Sequence, residues 1–220
     1  MRIDKLLSEC GIASRKESAR VAKSGGLLIS GEVVKDVSRH IDPMRDKITY
    51  MGREVVYEKY VYVMLNKPEG YVSATEDRNL PVVTELLSDE LKKRELFPVG
   101  RLDKDTVGLL LLTNDGDLAH KLLTPKKNVP KIYHAVVERP VRDKDILAFQ
   151  KGIYIKDDDF TTLPGDLKVL EDGENPLCEV TIYEGKFHQV KRMFQARCNK
   201  VLKLKRVKFA GIDLDDSLPE

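Results

Sequence analysis

The side chains best suited to chemistry gather in GRLDKDTVGLLLLTNDGD, Gly100 to Asp117. Arg101 and Asp103 are two residues apart, so in an extended chain both leave on the same side and set a guanidinium beside a carboxylate. From spacing alone this pair reads as a structural ion pair or as the charged part of a site. A second candidate group lies in KFHQVKRMFQARC. At helical spacing Phe187, Val190 and Phe194 form an apolar stripe with Met193 beside it, while His188, Lys191 and Gln195 repeat on another face. One face packs and the other is free to meet a site. The three cysteines, Cys10, Cys178 and Cys198, are far apart and form no CxxC pair, so neither a disulfide framework nor a zinc site is indicated.

These groups need elements to hold them. Gly108 followed by Leu109 to Leu112 reads as a strand buried on both faces, with Asn114-Asp115-Gly116 as the turn that ends it. Around it the order is mixed. A strand runs to Asn66, the turn Lys67-Pro68-Glu69-Gly70 follows, and VTELLSDELKKR reads as a helix. After the leucine strand come a short helix around DLAHKLL, strand KIYHAVVE, helix DKDILAFQKG, strands around Ile153, Val169 and Val180, the KFHQVKRMFQARC helix and a strand through KVLKLKRVKF. Strands joined partly by hairpins and partly by helices indicate an α+β fold with a mixed, mainly antiparallel sheet.

The first sixty residues read as a unit of their own. Asp4 is expected to cap a short helix that stops at Gly11, and Ser14 with Glu17 makes a capping box for a second helix ending at Gly25-Gly26. Two hairpins follow, turning at Ser30-Gly31-Glu32 and around Gly52. This is a compact ααβ unit, and the boundary is placed near Glu58, giving domains 1–58 and 59–220. Its helices carry Arg2, Lys5, Arg15, Lys16, Arg20 and Lys23 against only Asp4, Glu9 and Glu17, which fits either a solvated face or a surface for phosphates.

Composition narrows the classes. The chain has 220 residues, 41% of them hydrophobic, enough for a real core. The net charge of +2 hides an uneven spread: Lys186 to Lys208 holds nine basic residues and no acidic one. MRIDKLLSEC is too charged for a signal peptide, and no apolar run approaches a membrane span. A cytoplasmic protein with no membrane association is expected.

Two resemblances follow from these motifs. RIDKLLSECGIASRKESARVAKSGGLLISGEVV resembles the alpha-L RNA-binding motif over Met1 to about Val56, departing from it where Gly25-Gly26 replace the usual basic residue before the first strand. GRLDKDTVGLLLLTNDG resembles the signature of the ribosomal RNA pseudouridine synthases, in particular the branch of ribosomal small-subunit pseudouridine synthase A. LNKPEGYVS, KIYHAVV and IYEGKFHQVKRMF match it further, so the likeness covers nearly the whole chain.

The resemblance implies a catalytic domain built on a large mixed sheet with a central cleft, isomerising a uridine of ribosomal RNA to pseudouridine with no cofactor and no metal. Asp103 would be the catalytic aspartate, adding to C1′, stabilising an oxocarbenium-like centre or taking a sugar proton. Arg101 would keep that carboxylate charged and help displace the base. Tyr133 would lie against the uracil and act in proton removal from C5. Lys191 would be the basic partner of Asp103, and lysine there points to the small-subunit branch. RNA contacts are expected from Arg2, Lys5, Arg15, Lys16, Arg20, His188 and Arg192, and Lys67 in the KPEG turn is expected as a support or an RNA contact. The implied partner is ribosomal RNA in a small-subunit assembly intermediate, met by a monomer. A large-subunit enzyme and a non-catalytic RNA-binding assembly protein are the alternatives.

Overall fold

The computed structural model describes residues 1–219 and divides into two compact units, Met1–Val61 with Thr84–Leu96, and Tyr62–Val83 with Phe97 onward. In the first, helices α1 (Ile3–Glu9) and α2 (Arg15–Lys23) pack against a four-stranded sheet of β1 (Leu27–Ile29), β2 (Glu32–Val33), β3 (Ile48–Tyr50) and β4 (Arg53–Val55), in the order β2-β1-β3-β4. Ile3, Leu6, Leu7, Ala22, Leu27 and Ile48 form its core. The capping box is present: Ser14 accepts from the Glu17 N–H, and the Glu17 carboxylate accepts from the Ser14 N–H at 2.8 Å. Asp4 does not cap α1. It lies one residue inside the helix, 3% exposed, and is gripped by Arg2 through two bonds of 3.0 and 2.7 Å.

The stretch read as one helix, VTELLSDELKKR, is broken. A 3-10 turn, Val83–Leu86, precedes the four-residue α3 (Asp89–Lys92), because Ser88 accepts from the Leu91 N–H and starts a new helix there. Most of this excursion groups with the first unit rather than with the chain around it. There the Arg94 guanidinium donates to the Glu58 carbonyl, and a Cβ built on Gly11 would stand 3.1 Å from Lys93 Cβ.

The second unit is an α+β layer structure on an eight-stranded sheet. Its strands are β5 (Tyr62–Lys67), β6 (Phe97–Pro98), β7 (Val107–Thr113), β8 (Lys131–Val137), β11 (Asp166–Glu171), β12 (Leu177–Ile182), β13 (Val201–Phe209) and β14 (Ile212–Asp213); β9 (Tyr154–Ile155) and β10 (Phe160–Thr161) make a separate hairpin. The main order is β11-β12-β8-β13-β7-β5, with β6 on β7 and β14 on β13. Every pairing is antiparallel except β13 with β7, which sets Arg206 opposite Gly108. That register needs glycine: a Cβ at Gly108 would lie 2.4 Å from the Arg206 carbonyl oxygen, and its φ is +96°.

Leu109, Leu110 and Leu112 are fully buried, so the leucine run is covered on both faces. Leu109 joins Val99, Ala119 and Phe209 on one side. Helices α4 (Gly116–Leu123), α5 (Asp143–Lys151) and α6 (Gln189–Ala196) complete the unit, with Phe149 of α5 against Phe194 of α6 at 5.1 Å between ring centroids. The turn expected at Asn114-Asp115-Gly116 is a helix start, in which Asp115 accepts from the Leu118 N–H at 3.0 Å. Helix α6 is shorter than its sequence pattern. It begins at Gln189 because His188 takes a left-handed backbone, φ 49°, so Phe187 leaves the apolar stripe and is 69% exposed.

Candidate active site

Asp103 sits in the loop that enters β7, and the rigidity of that loop comes from below. The Lys67 ammonium, at the end of β5, donates to the carbonyls of Pro68, Lys104 and Thr106 at 3.0, 3.3 and 2.9 Å. The Gly70 N–H donates to the Lys104 carbonyl at 2.9 Å, Ser73 Oγ bonds both the N–H and the carbonyl of Leu102, and a turn closes from the Thr106 N–H to the Asp103 carbonyl. The loop backbone on both sides of Asp103 is therefore held while its carboxylate projects.

Helix α6 approaches that carboxylate with its first turn. Lys191 Nζ is 3.2 Å from Asp103 Oδ2 and 2.5 Å from Asp105 Oδ1, so one ammonium bridges two acids. His188 Nε2 lies 3.5 Å from Asp103 Oδ1, and the His188 ring stacks on Phe187 with centroids 3.8 Å apart. Burial works to raise the Asp105 carboxyl, but the hydrogen bond and charge of Lys191 outweigh it and leave that acid below its ordinary range. A cleft of about 400 Å³ opens on Asp103, Arg101, Tyr133, Ile182, His188 and Leu204. Tyr133 is 7% exposed at the middle of β8, facing a cleft that Asp103 also lines.

The expected site residues separate into those the fold brings together and those it does not. Asp103, Tyr133, Arg101 and His188 share the cleft, and Lys191 pairs with Asp103 as expected. Arg101 makes no ion pair with Asp103 among the described residues. The chain from Arg101 to Asp105 is a loop with a turn rather than a strand, and Arg101 is exposed, so the two residues line one cleft without pairing. Lys67 is not an RNA contact: it is 0% exposed, and burial pushes its ammonium down to about 8 although Asp105, Asp103 and Glu69 pull it up. Arg192 is likewise committed elsewhere, donating to Asp158 at 2.5 Å with only 12% of its side chain exposed. His188 is nearer the Asp103 carboxylate than its spacing suggested.

On the first unit, Arg15, Lys16 and Arg20 stand exposed on α2 with no ion pair among the described residues. Arg2 is tied to Asp4, and Lys5 lies 3.6 Å from Glu9. The Gly25-Gly26 departure has a local cause. Gly25 has φ +84°, and a Cβ on Gly26 would stand 2.8 Å from Val21 Cγ1, so a larger residue would strain the entry to β1.

The sequence reading missed Asp105 as second acid on Lys191, although it stands in the same RLDKD run. Among the described residues no three His, Cys, Asp or Glu side chains converge so as to hold a metal ion, and no helix is long and apolar enough to cross a membrane. Chemically, the cleft offers a carboxylate paired with one ammonium and lying near one imidazole, beside an aromatic side chain and an exposed guanidinium.

Known proteins resemble this chain in sequence and in fold. Residues 61–196 match the model of the RNA pseudouridylate synthase family, and residues 1–46 match the S4 domain. The uncharacterized RNA pseudouridine synthase YtzG of Bacillus subtilis (strain 168) is 45% identical, covering 99% of this chain and 91% of that protein. Ribosomal small subunit pseudouridine synthase A of Escherichia coli (strain K12) is 36% identical over 99% of this chain and 93% of its own. A crystal structure of a pseudouridylate synthase superposes with a TM-score of 0.69 at 34% identity, covering 100% of this chain and 93% of that one.

Proposed function

The chain belongs to the RNA pseudouridylate synthase family, an isomerase with an RNA-binding S4 domain in front, and from that premise we propose that it converts a uridine of small-subunit ribosomal RNA to pseudouridine, with Asp103 as the catalytic carboxylate. The observation that carries this reading is the Asp103 carboxylate opening on a cleft, paired with Lys191 and His188, with Tyr133 on the cleft wall. The small-subunit target rests on the relatives of that name, at about equal length to this chain.

The chemistry fits those parts. A stacked uridine hides its glycosidic bond, so it must leave the helix at a cost of roughly a few kcal/mol. Packing of the base on Tyr133 offsets part of this, by about 1–3 kcal/mol per stacked base. Asp103, 3.2 Å from the Lys191 ammonium, meets the sugar as the N1 to C1′ bond breaks; the base turns, C5 bonds to C1′, and the proton lost from C5 is matched by one gained at N1. Arg101, exposed at the cleft, is placed to occupy the space the base leaves. Phosphates are held by Arg15, Lys16 and Arg20 without reading sequence.

The test is to incubate the protein with small- and large-subunit ribosomal RNA, with and without subunit proteins, and to map new pseudouridines chemically. Small-subunit RNA is expected to gain one site; a site in large-subunit RNA alone would overturn the target. Asp103→Asn is expected to abolish formation while RNA affinity stays within severalfold. Normal turnover by that variant would remove Asp103 from the chemistry.

A further inference from the structure

A second cavity adjoins the Asp103 cleft and shares Arg101, Tyr133, Gly185 and Lys186 with it. Counting the open space at its mouth it spans about 1560 Å³, against about 400 Å³ for the cleft on the same measure, so it is the roomier of the two.

Its wall holds two buried cations. Arg206 of β13 is 2% exposed; its Nε donates to the Leu109 carbonyl at 2.7 Å, while its Nη2 is buried with no hydrogen-bond partner among the described residues. Lys131 of β8 is 9% exposed, and its Nζ donates to the Val129 carbonyl at 3.0 Å. Both lie against Phe209, the Lys131 nitrogen 5.5 Å and the Arg206 guanidinium carbon 4.8 Å from the ring centroid. Neither forms an ion pair with a described carboxylate. The acid on this wall, Glu184, already accepts from the Leu163 N–H and the Gln189 amide at 2.9 Å each.

Two like charges buried near one another with no carboxylate in direct contact are unfavourable. Burial, then the nearby Arg206, hold the Lys131 ammonium below its ordinary range, with Glu184 opposing. Such a wall becomes favourable when an anion arrives from outside. The remaining wall is largely apolar, with Leu122, Leu123, Val129 and Leu163, and offers a surface for a base.

We infer that this cavity is a subsite for the nucleotide adjoining the target uridine, with its phosphodiester against Lys131 and Arg206 and its base against the leucines. The inference rests on the reading of the Asp103 cleft as the uridine site, and its test separates the two. Uridine, inorganic phosphate, UpA, ApU and the methylphosphonate analogues of both dinucleotides are titrated into the full chain by NMR. One dinucleotide is expected to bind about tenfold more tightly than uridine, which corresponds to about 1.4 kcal/mol, the low end of one charge-assisted hydrogen bond. That gain should vanish in its methylphosphonate analogue, which needs no change to the protein, and should also shrink toward one in Lys131→Met.

Dinucleotides binding no better than uridine, or a gain indifferent to both phosphate charge and Lys131, would overturn the inference. Inorganic phosphate binding as tightly as either dinucleotide would also overturn it, leaving a free-anion site. A Lys131-dependent gain for UpA or ApU in a protein that does not bind uridine would keep the subsite and sink the reading of the Asp103 cleft.

Discussion

The two units use the same basic residue types in opposite ways. On α2 of the first unit, Arg15, Lys16 and Arg20 stand in solvent and pair with no described acid. In the second unit Lys67, Lys131 and Arg206 are buried, and Lys191 and Arg192 are held by carboxylates. Exposed cations keep their hydration until a phosphate displaces counterions, so they supply affinity that salt erodes. Buried cations have lost that hydration and instead bind carbonyls or acids in fixed geometry, so they set positions. A net charge of +2 therefore says little about either task.

The contrast can be broken first at Lys191. Lys191→Gln removes the ammonium between Asp103 and Asp105, and turnover at saturating RNA is expected to fall by about 100-fold, the scale of a lost charge-stabilising contact, with RNA affinity kept within severalfold. Equal losses in affinity and turnover would mean that Lys191 acts as a phosphate contact after all.

A smaller effect is expected on α2. Replacing Arg15, Lys16 and Arg20 together with glutamine should weaken RNA binding by about tenfold near 0.1 M salt and lower the salt slope by roughly 2, at about 0.7 per phosphate. Turnover at saturation should hold. An unchanged salt slope would show that these exposed cations are not the phosphate contacts.

The smallest effect sharpens the buried side. Lys67 releases its proton near 8 in the fold and at its ordinary 10.5 when unfolded, so between those values the unfolded chain binds more protons. Stability should therefore rise with pH across that window, by about 1 kcal/mol from pH 8 to pH 9, relative to Lys67→Met measured in parallel by denaturant unfolding. Parallel curves for the two proteins would mean that the ammonium is not penalised by burial.

Much of the architecture was legible wherever a local rule applied. The Ser14–Glu17 capping box, the buried leucine strand and the KIYHAVV strand each follow from spacing within a few residues. Asp103 with Lys191 was legible only through motif resemblance, because 88 residues separate them. For Lys67 the sequence left support and RNA contact both open: its carbonyl partners at Lys104 and Thr106 come from 37 and 39 residues further on, and nothing in KPEG announces them. Phe187 was misplaced because one left-handed residue, His188, shifts the helix start by less than a turn.

By itself the sequence determined most of the element types and the α+β class, since periodicity, caps and a long signature act over short spans of chain. Tertiary structure alone decided which charges are buried and which pairs meet. Burial depends on neighbours brought by strand register, above all the parallel pairing that lays Arg206 beside Gly108, and no local pattern encodes that desolvation.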